Sequence, residues 1–146
     1  MTASYTSKHG MISKSPEELY MLFCDMRPLC NMVPESYRKN MEADYDSLKI
    51  SYQGINISVR ISERRPYELI RLISVDSPIE FVAAIHFDRA IIPGKTDFCI
   101  HLDANLNFMM KTMIGSKIQE ALDKVVEGLE MASEGKMPEM PNEFKM

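Results

Sequence analysis

The spacing of the apolar residues changes along this chain, and the last change does most to limit the fold. From Tyr37 to Leu106 apolar side chains recur at every second position in one short stretch after another, with no helical stretch between them. From Phe108 to Ala132 they recur at helical spacing without a break. Side chains alternate between the two faces of a strand, so the first region predicts about six short strands. Their connections are too short for parallel crossovers, which makes the sheet an antiparallel meander. Ile55, Ile57, Val59 and Ile61, alternating with Asn56, Ser58, Arg60 and Ser62, form the cleanest of these strands. Turns are expected near Asp46-Ser47, at Gln53-Gly54, at "RRPY" (Arg64 to Tyr67) and at Pro93-Gly94. In the second region Ile114, Ile118, Ala121, Leu122, Val125 and Leu129 form one stripe, opposite Ser116, Glu120, Asp123 and Glu127. Such a helix spans about 37 Å. An open sheet with one apolar face must cover that face, and this helix is the element long enough to do it.

The strands of the meander are preceded by a weaker strand pattern, "YTSKHGMIS" (Tyr5 to Ser13), and by a well-marked helix start. In "SPEELYMLFCDM" Ser15 is an N-cap, Pro16 takes the first helical position and Glu18 completes a capping box. Leu19, Leu22, Phe23 and Met26 follow at helical spacing, and Pro28 stops the run. A short second helix is expected near Leu29 to Val33, before Pro34. The predicted organisation is one domain over residues 1–132 and a polar, proline-bearing tail over residues 133–146.

A formal charge of -4 argues against a nucleic-acid partner, which requires a basic stripe. The densest basic spot, "SERR" (Ser62 to Arg65), looks like a loop. No stretch approaches the ~20 apolar residues of a membrane span, and "MTASYTSKHG" lacks the apolar run of a signal peptide. Cys24, Cys30 and Cys99 are odd in number and have no ligand-like spacing, so they signal neither disulfides nor a structural zinc. A cytoplasmic protein with reduced thiols is expected. Thirteen methionines without a tryptophan suit an adaptable apolar interior or ordinary core filling.

The order strand, helix pair, antiparallel meander, long helix resembles the START-related helix-grip superfamily (SRPBCC). That superfamily includes polyketide cyclase-like, coenzyme Q-binding-like and pollen-allergen-like proteins. The segments that carry the resemblance are "SPEELYMLF" after the first strand, "ERRPYELIRL", "GKTDFCIHLDAN" and "MMKTMIGSKIQEALDKVVEGLEMA", within Tyr5 to Ala132. The resemblance implies an α+β fold in which a curved antiparallel sheet of six or seven strands grips the C-terminal helix. It also implies a cavity between them for a hydrophobic or amphipathic small molecule, with lipid-like molecules in the class. It supplies no universal catalytic residue.

The expected cavity is lined by Tyr52 and Val59, by Leu72 and Ser74, and by Phe81, Ala83, Ile85 and Phe87. Ile100, Leu102 and Ala104 continue it on the last strand, and Met110, Met113, Ile114 and Ile118 close it from the helix. In "FVAAIHFDRAIIPGKTDFCIHLDANLNFMMK" a two- or four-residue loop at Pro93-Gly94 would pair His86 with His101, Asp88 with Cys99, Phe87 with Ile100 and Ile85 with Leu102. Ala83 would then face Ala104, and Phe81 would face Leu106. Two histidines with Cys99, Asp88 and Asp103 nearby are chemically sufficient for a metal, yet they share the solvent side of the sheet without a shielding concavity, so no metal is assigned. The small Ala83 and Ala104 leave either a cavity or room for close approach of the helix at Gly115. A four-residue "RRPY" loop pairs Ile61 with Ile70 and Val59 with Leu72, turning Ser74 inward beside Tyr45 and Tyr52. None of the three comes with a partner base, so no catalytic residue and no cofactor is assigned. Three functions stay open: an apolar-ligand binder, a cyclase- or dehydratase-like enzyme, and an interaction module with a solid core. A homodimer is compatible with each.

Overall fold

The computed structural model describes residues 2–27, 39–52 and 55–134. Along them run β1 (Thr2–Thr6), β2 (Gly10–Ile12), α1 (Pro16–Phe23), β3 (Met41–Ala43), β4 (Ser47–Tyr52), β5 (Ile55–Arg65), β6 (Leu69–Ser74), β7 (Phe81–Arg89), β8 (Thr96–Asn105) and the long helix α2 (Phe108–Ser133). The strands form one antiparallel sheet in the order β1-β8-β7-β6-β5-β4-β3, with β2 also on β8. The expected short helix near Leu29, the Gln53-Gly54 turn and the tail from residue 135 onward lie outside the described residues. Among the described residues no helix is long and apolar enough to cross a membrane.

The first strand is broken where the alternation was weak. β1 and β2 pair with successive parts of β8, and buried Ser7 bridges the break. Its N–H donates to the Ile100 carbonyl at 2.8 Å and its hydroxyl accepts the Ile100 N–H at 2.9 Å, so the ladder stays satisfied. The break brings Gly10 beneath α2, where a Cβ would stand 2.3 Å from Val126 Cγ1. Val126 is fully buried there while Val125 is 46% exposed, so the apolar stripe of α2 runs through Val126 instead of Val125.

Helix α1 starts as expected: Ser15 Oγ accepts from the Glu18 N–H at 3.2 Å, and the Ser15 N–H donates to Glu18 Oε1 at 3.4 Å. The helix ends at Phe23 with Cys24 as its cap, four residues before Pro28. Its buried face, Leu19, Tyr20 and Phe23, packs on the hairpin of β7 and β8 through an aromatic cluster. Phe23 lies 5.8 Å from Phe87 and 5.7 Å from Phe98, and Phe87 lies 5.8 Å from Phe98, ring centre to ring centre.

Helix α2 is capped by Asn107, whose side-chain oxygen accepts the Met110 N–H at 2.8 Å. It packs chiefly on β1, β2 and β8. Its polar side chains take up backbone groups that the edge strands would otherwise expose. Gln119 Nε2 donates to the Thr6 carbonyl at 2.7 Å, and Asp123 Oδ1 accepts from the Lys8 N–H at 2.7 Å. Glu130 Oε2 accepts from the Met11 N–H at 3.2 Å and Ser133 Oγ from the Ser13 N–H at 3.1 Å.

Two hairpin registers differ from expectation. The loop between β7 and β8 has six residues, with Pro93-Gly94 in an off-centre turn where Gly94 takes φ +80°. The pairing therefore slides by two residues. His86 faces Cys99, His101 faces Ala84, Asp88 faces Asp97, Phe87 faces Phe98 and Ile85 faces Ile100. Ala83 meets Leu102, and Ala104 meets Phe81 on one side and Ala3 on the other. A slide of two keeps every side chain on its expected face. Between β5 and β6 the turn is Pro66 to Glu68, and a bulge at Ser62 changes the phase. Ile61 pairs with Leu72 and Val59 with Ser74, while Arg64 pairs with Ile70. "SERR" is thus strand, not loop.

Candidate functional site

The inner face of the sheet is a set of rows that cross it from strand to strand. One runs Tyr5, Leu102, Ala83, Leu72, Ile61, and the next runs Ala3, Ala104, Phe81. At the hairpin-loop end Ile85, Phe87, Phe98, Ile100, Ile61 and Ile70 are buried against α1, Val126 and Leu129. At the other end Ala3, Ala104 and Leu106 form a second cluster, bordered by half-buried Tyr5, Phe81, Leu102, Met110, Ile114 and Ile118. Ala83 is buried but belongs to neither cluster. Leu48, Val59 and Leu72 pack against the first cluster and are themselves only half-buried. Half-buried apolar side chains thus line the inner side of β5 to β8 and the sheet-facing side of the N-terminal half of α2.

The expected lining residues divide accordingly. Val59, Leu72, Phe81, Leu102, Met110, Ile114 and Ile118 are half-buried on the inner side, and Ala83 is buried between Leu72 and Leu102. Ile85, Phe87 and Ile100 are enclosed in the main core, and Ala104, 1% exposed, is packed among Ala3 and Leu106. Met113 is 66% exposed and points away from the sheet, because Gly115 and Ile118, not Met113, hold the sheet-facing side of the helix at that level. The Tyr52 side chain lies outside the described residues.

Among the described residues, polar groups on the inner side are few. Ser74 faces inward, and its Oγ accepts the Phe81 N–H at 2.9 Å, which ties β6 to the start of β7. Tyr45, expected inside, is 47% exposed, because β3 ends at Ala43 and Asp44 turns the chain. It lies under the guanidinium of Arg64, 4.1 Å from the ring centre. The bulge at Ser62 swings Arg64 inward, where it donates to the carbonyls of Cys24 at 2.9 Å and Tyr45 at 3.0 Å and pairs with Asp46 at 2.8 Å. Arg64 thereby fastens the end of α1 to the β3-β4 turn. The polar group that sequence reasoning missed is Tyr5. Its hydroxyl is buried against Gly115 of α2, with no hydrogen-bond partner among the described residues.

On the outer face His86 and His101 stand diagonally across the β7-β8 pair instead of opposite each other. His101 Nδ1 is 2.9 Å from Thr6 Oγ1 and its Nε2 3.1 Å from Asp103 Oδ1, which also accepts from the Ser4 hydroxyl at 2.5 Å. The Ser4 hydrogen bond, with His101 beside it, holds the Asp103 carboxyl below its usual range. These residues lace β1 to β8 on an open surface. Ala84 and Cys99 are buried even on this face, since each sits in its row beside a larger neighbour, Arg71 and His86 respectively. Among the described residues no three His, Cys, Asp or Glu side chains converge as metal ligands would. A separate open groove of about 380 Å³ lies at the rim between α1 and the β5-β6 turn, lined by Glu17, Tyr67, Glu68, Asp88 and Arg89 among others. Its Glu17 and Arg89 are already paired with each other.

No protein-family model and no curated protein matches the chain. Solved structures do. Norcoclaurine synthase from Thalictrum flavum, in a truncated form, superposes with a TM-score of 0.68 at 7% identity over 91% of each chain. The same synthase in complex with dopamine and hydroxybenzaldehyde gives 0.63 at 9% identity over 83% of each. A Staphylococcus aureus protein of unknown function gives 0.62 at 12% identity over 91% of each. The fold is therefore the helix-grip fold, as the sequence resemblance implied, and identities this low speak to the fold alone.

Proposed function

We propose that the protein binds an apolar or amphipathic small molecule in a cleft between the sheet and α2. One observation carries the reading. Large apolar side chains on the sheet, Val59, Leu72, Phe81 and Leu102, and on the helix, Met110, Ile114 and Ile118, stay only half-buried although α2 is about 39 Å long and could have been laid more fully across the sheet. The helix instead keeps to β1, β2 and β8. Leaving such surface short of full burial forgoes roughly 25 cal/mol for each Å² that close packing would cover, a loss that a bound apolar molecule reverses. The complex of norcoclaurine synthase with an aromatic amine and an aromatic aldehyde makes small, oxygen-bearing aromatic molecules a natural class to test. Binding is favoured over acid-base catalysis, because among the described residues Ser74 and Tyr5 have no carboxylate, imidazole or amine as a hydrogen-bond partner. The fold-bearing unit, expected over residues 1–132, is proposed to run through Ser133, the last residue of α2, with the residues beyond it as a tail.

The test is fluorescence titration of the full chain with diphenylhexatriene. Saturable one-site binding, displaced by other small hydrophobes, supports the reading. Linear, unsaturable enhancement would show surface adsorption and remove it.

A further inference from the structure

Tyr5 and Gly115 form a contact that is unfavourable by two separate criteria. A buried hydroxyl without a partner forfeits the hydrogen bond it made to water, and a glycine inside a helix is a poorer helix former than alanine. Phenylalanine and alanine would have filled the same space without either loss. The contact also lies at the loosely held part of the helix. Every hydrogen bond described above between α2 and the β1-β2 edge is made by Gln119 or a residue beyond it. The ion pair of α2 with that edge, Lys8 with Glu127, is in the same C-terminal half. Among the described residues the half from Phe108 to Ile118 rests on the sheet through apolar contacts and through Tyr5 under Gly115. Tyr5 is also the end member of the inner row that continues through Leu102 to Ala83, on the floor of the proposed cleft.

From these observations we infer that the Tyr5 hydroxyl is the polar anchor of the cleft, donating its hydrogen to an acceptor oxygen, a carbonyl or ether, on an otherwise apolar ligand. In the structure the oxygen is sealed against Gly115, so uptake lifts the N-terminal half of α2 off the ring while the stitched C-terminal half stays in place. The glycine matters because, without a Cβ, the helix can close over the hydroxyl when the cleft is empty. The ligand class follows: flat or chain-like apolar molecules with one acceptor at one end, in preference to pure hydrocarbons.

This inference rests on the cleft reading, and the experiment separates the two. The full chain and its Tyr5→Phe variant are titrated with two dyes, the ketone propionyl-dimethylaminonaphthalene and the hydrocarbon diphenylhexatriene, beside a thermal unfolding curve for each. Tyr5→Phe is expected to weaken the ketone about tenfold, or ~1.4 kcal/mol, and to leave the hydrocarbon unchanged or tighter. The bound ketone should also emit further to the blue in the variant, because its carbonyl loses a hydrogen-bond donor, a shift that altered packing alone would not give. Equal weakening of both dyes, or no change in either, with both still binding the parent, overturns the anchor and leaves the cleft reading standing. Absence of saturable binding of both dyes in the parent overturns both. If Tyr5→Phe fails to fold, the parent decides: emission of the bound ketone must match a hydrogen-bonded carbonyl, and emission typical of an aprotic surrounding refutes the anchor.

Discussion

Replacing Gly115 by alanine should change the sign of its effect according to what stands at position 5. An ideal Cβ at Gly115 would lie 2.8 Å from the Tyr5 hydroxyl oxygen but 3.7 Å from the ring carbon that bears it. The first distance is a collision and the second is ordinary contact, so the oxygen alone obstructs the substitution. In the parent, Gly115→Ala gains about 1 kcal/mol of helix propensity and loses about 1–3 kcal/mol to overpacking, for a net loss of up to ~2 kcal/mol. Tyr5→Phe removes an unsatisfied buried hydroxyl and should be neutral or stabilising, by about 1 kcal/mol. In the Tyr5→Phe background Gly115→Ala keeps its helix gain and loses the collision, so it should stabilise by about 1 kcal/mol. The coupling between the two sites is then about 1–3 kcal/mol. Urea unfolding of the four proteins, followed by circular dichroism, measures it. Equal destabilisation by Gly115→Ala in both backgrounds would show that something other than the hydroxyl meets the helix there. The reasoning would also fail if alanine were stabilising in the parent.

Gly10→Ala should be among the more damaging small substitutions, costing about 1–3 kcal/mol by thermal unfolding, because its Cβ would fall 2.3 Å from Val126 on the stitched half of α2. Ala104→Leu should destabilise by a similar ~1–3 kcal/mol, whereas Ala83→Leu, beside half-buried Leu72 and Leu102, should leave stability nearly unchanged and weaken dye binding. Asp103 has a depressed folded-state pKa, so its contribution is present above the ordinary aspartate value of about 3.9 and is lost as pH falls through the lower folded-state value. Asp103→Asn should therefore flatten the acid limb of the stability-pH curve in that window, and an unchanged limb would count against the Ser4 and His101 contacts. Replacing His86 and His101 by alanine should shift stability by no more than about 0.5 kcal/mol each and leave zinc without a stoichiometric effect, as checked by melting with and without the metal.

How much of this was legible beforehand depends on what alternation can encode. It assigns faces, so Val59, Leu72, Phe81 and Leu102 were placed correctly on the inner side even though their partners were not. Pairings whose sums differ by two give the same faces, so the slide of β7 against β8 left no trace in the pattern. Ile91 and Ile92, which a two-residue loop at Pro93-Gly94 would place in the strand, instead stand exposed in the six-residue loop. The bulge at Ser62 was hidden for the opposite reason: it changes parity, and "SERR" offers no apolar residue by which the change could be seen. That is why Arg64 was read as loop when it points inward. The capping box of α1 and the extent of α2 were legible because both are local, decided by side chains within one turn of each other. Gly115 was suspected of a close approach, but its partner was not foreseen. Tyr5 lies in the weakest strand pattern of the chain, and an orphaned hydroxyl shows only once the helix is laid over it.

The central claim is that a small apolar molecule occupies the space between the sheet and the N-terminal half of α2. Methyl-resolved NMR of the full chain, titrated with aminoanthracene, tests it most directly. The account predicts saturable shifts concentrated on Val59, Leu72, Ala83, Leu102, Ile114 and Ile118, with the outer-face methyls of Ile73 and Val82 unmoved. Shifts confined to the outer face or to exposed Met109 and Met113, or no saturable shift at all, would contradict it.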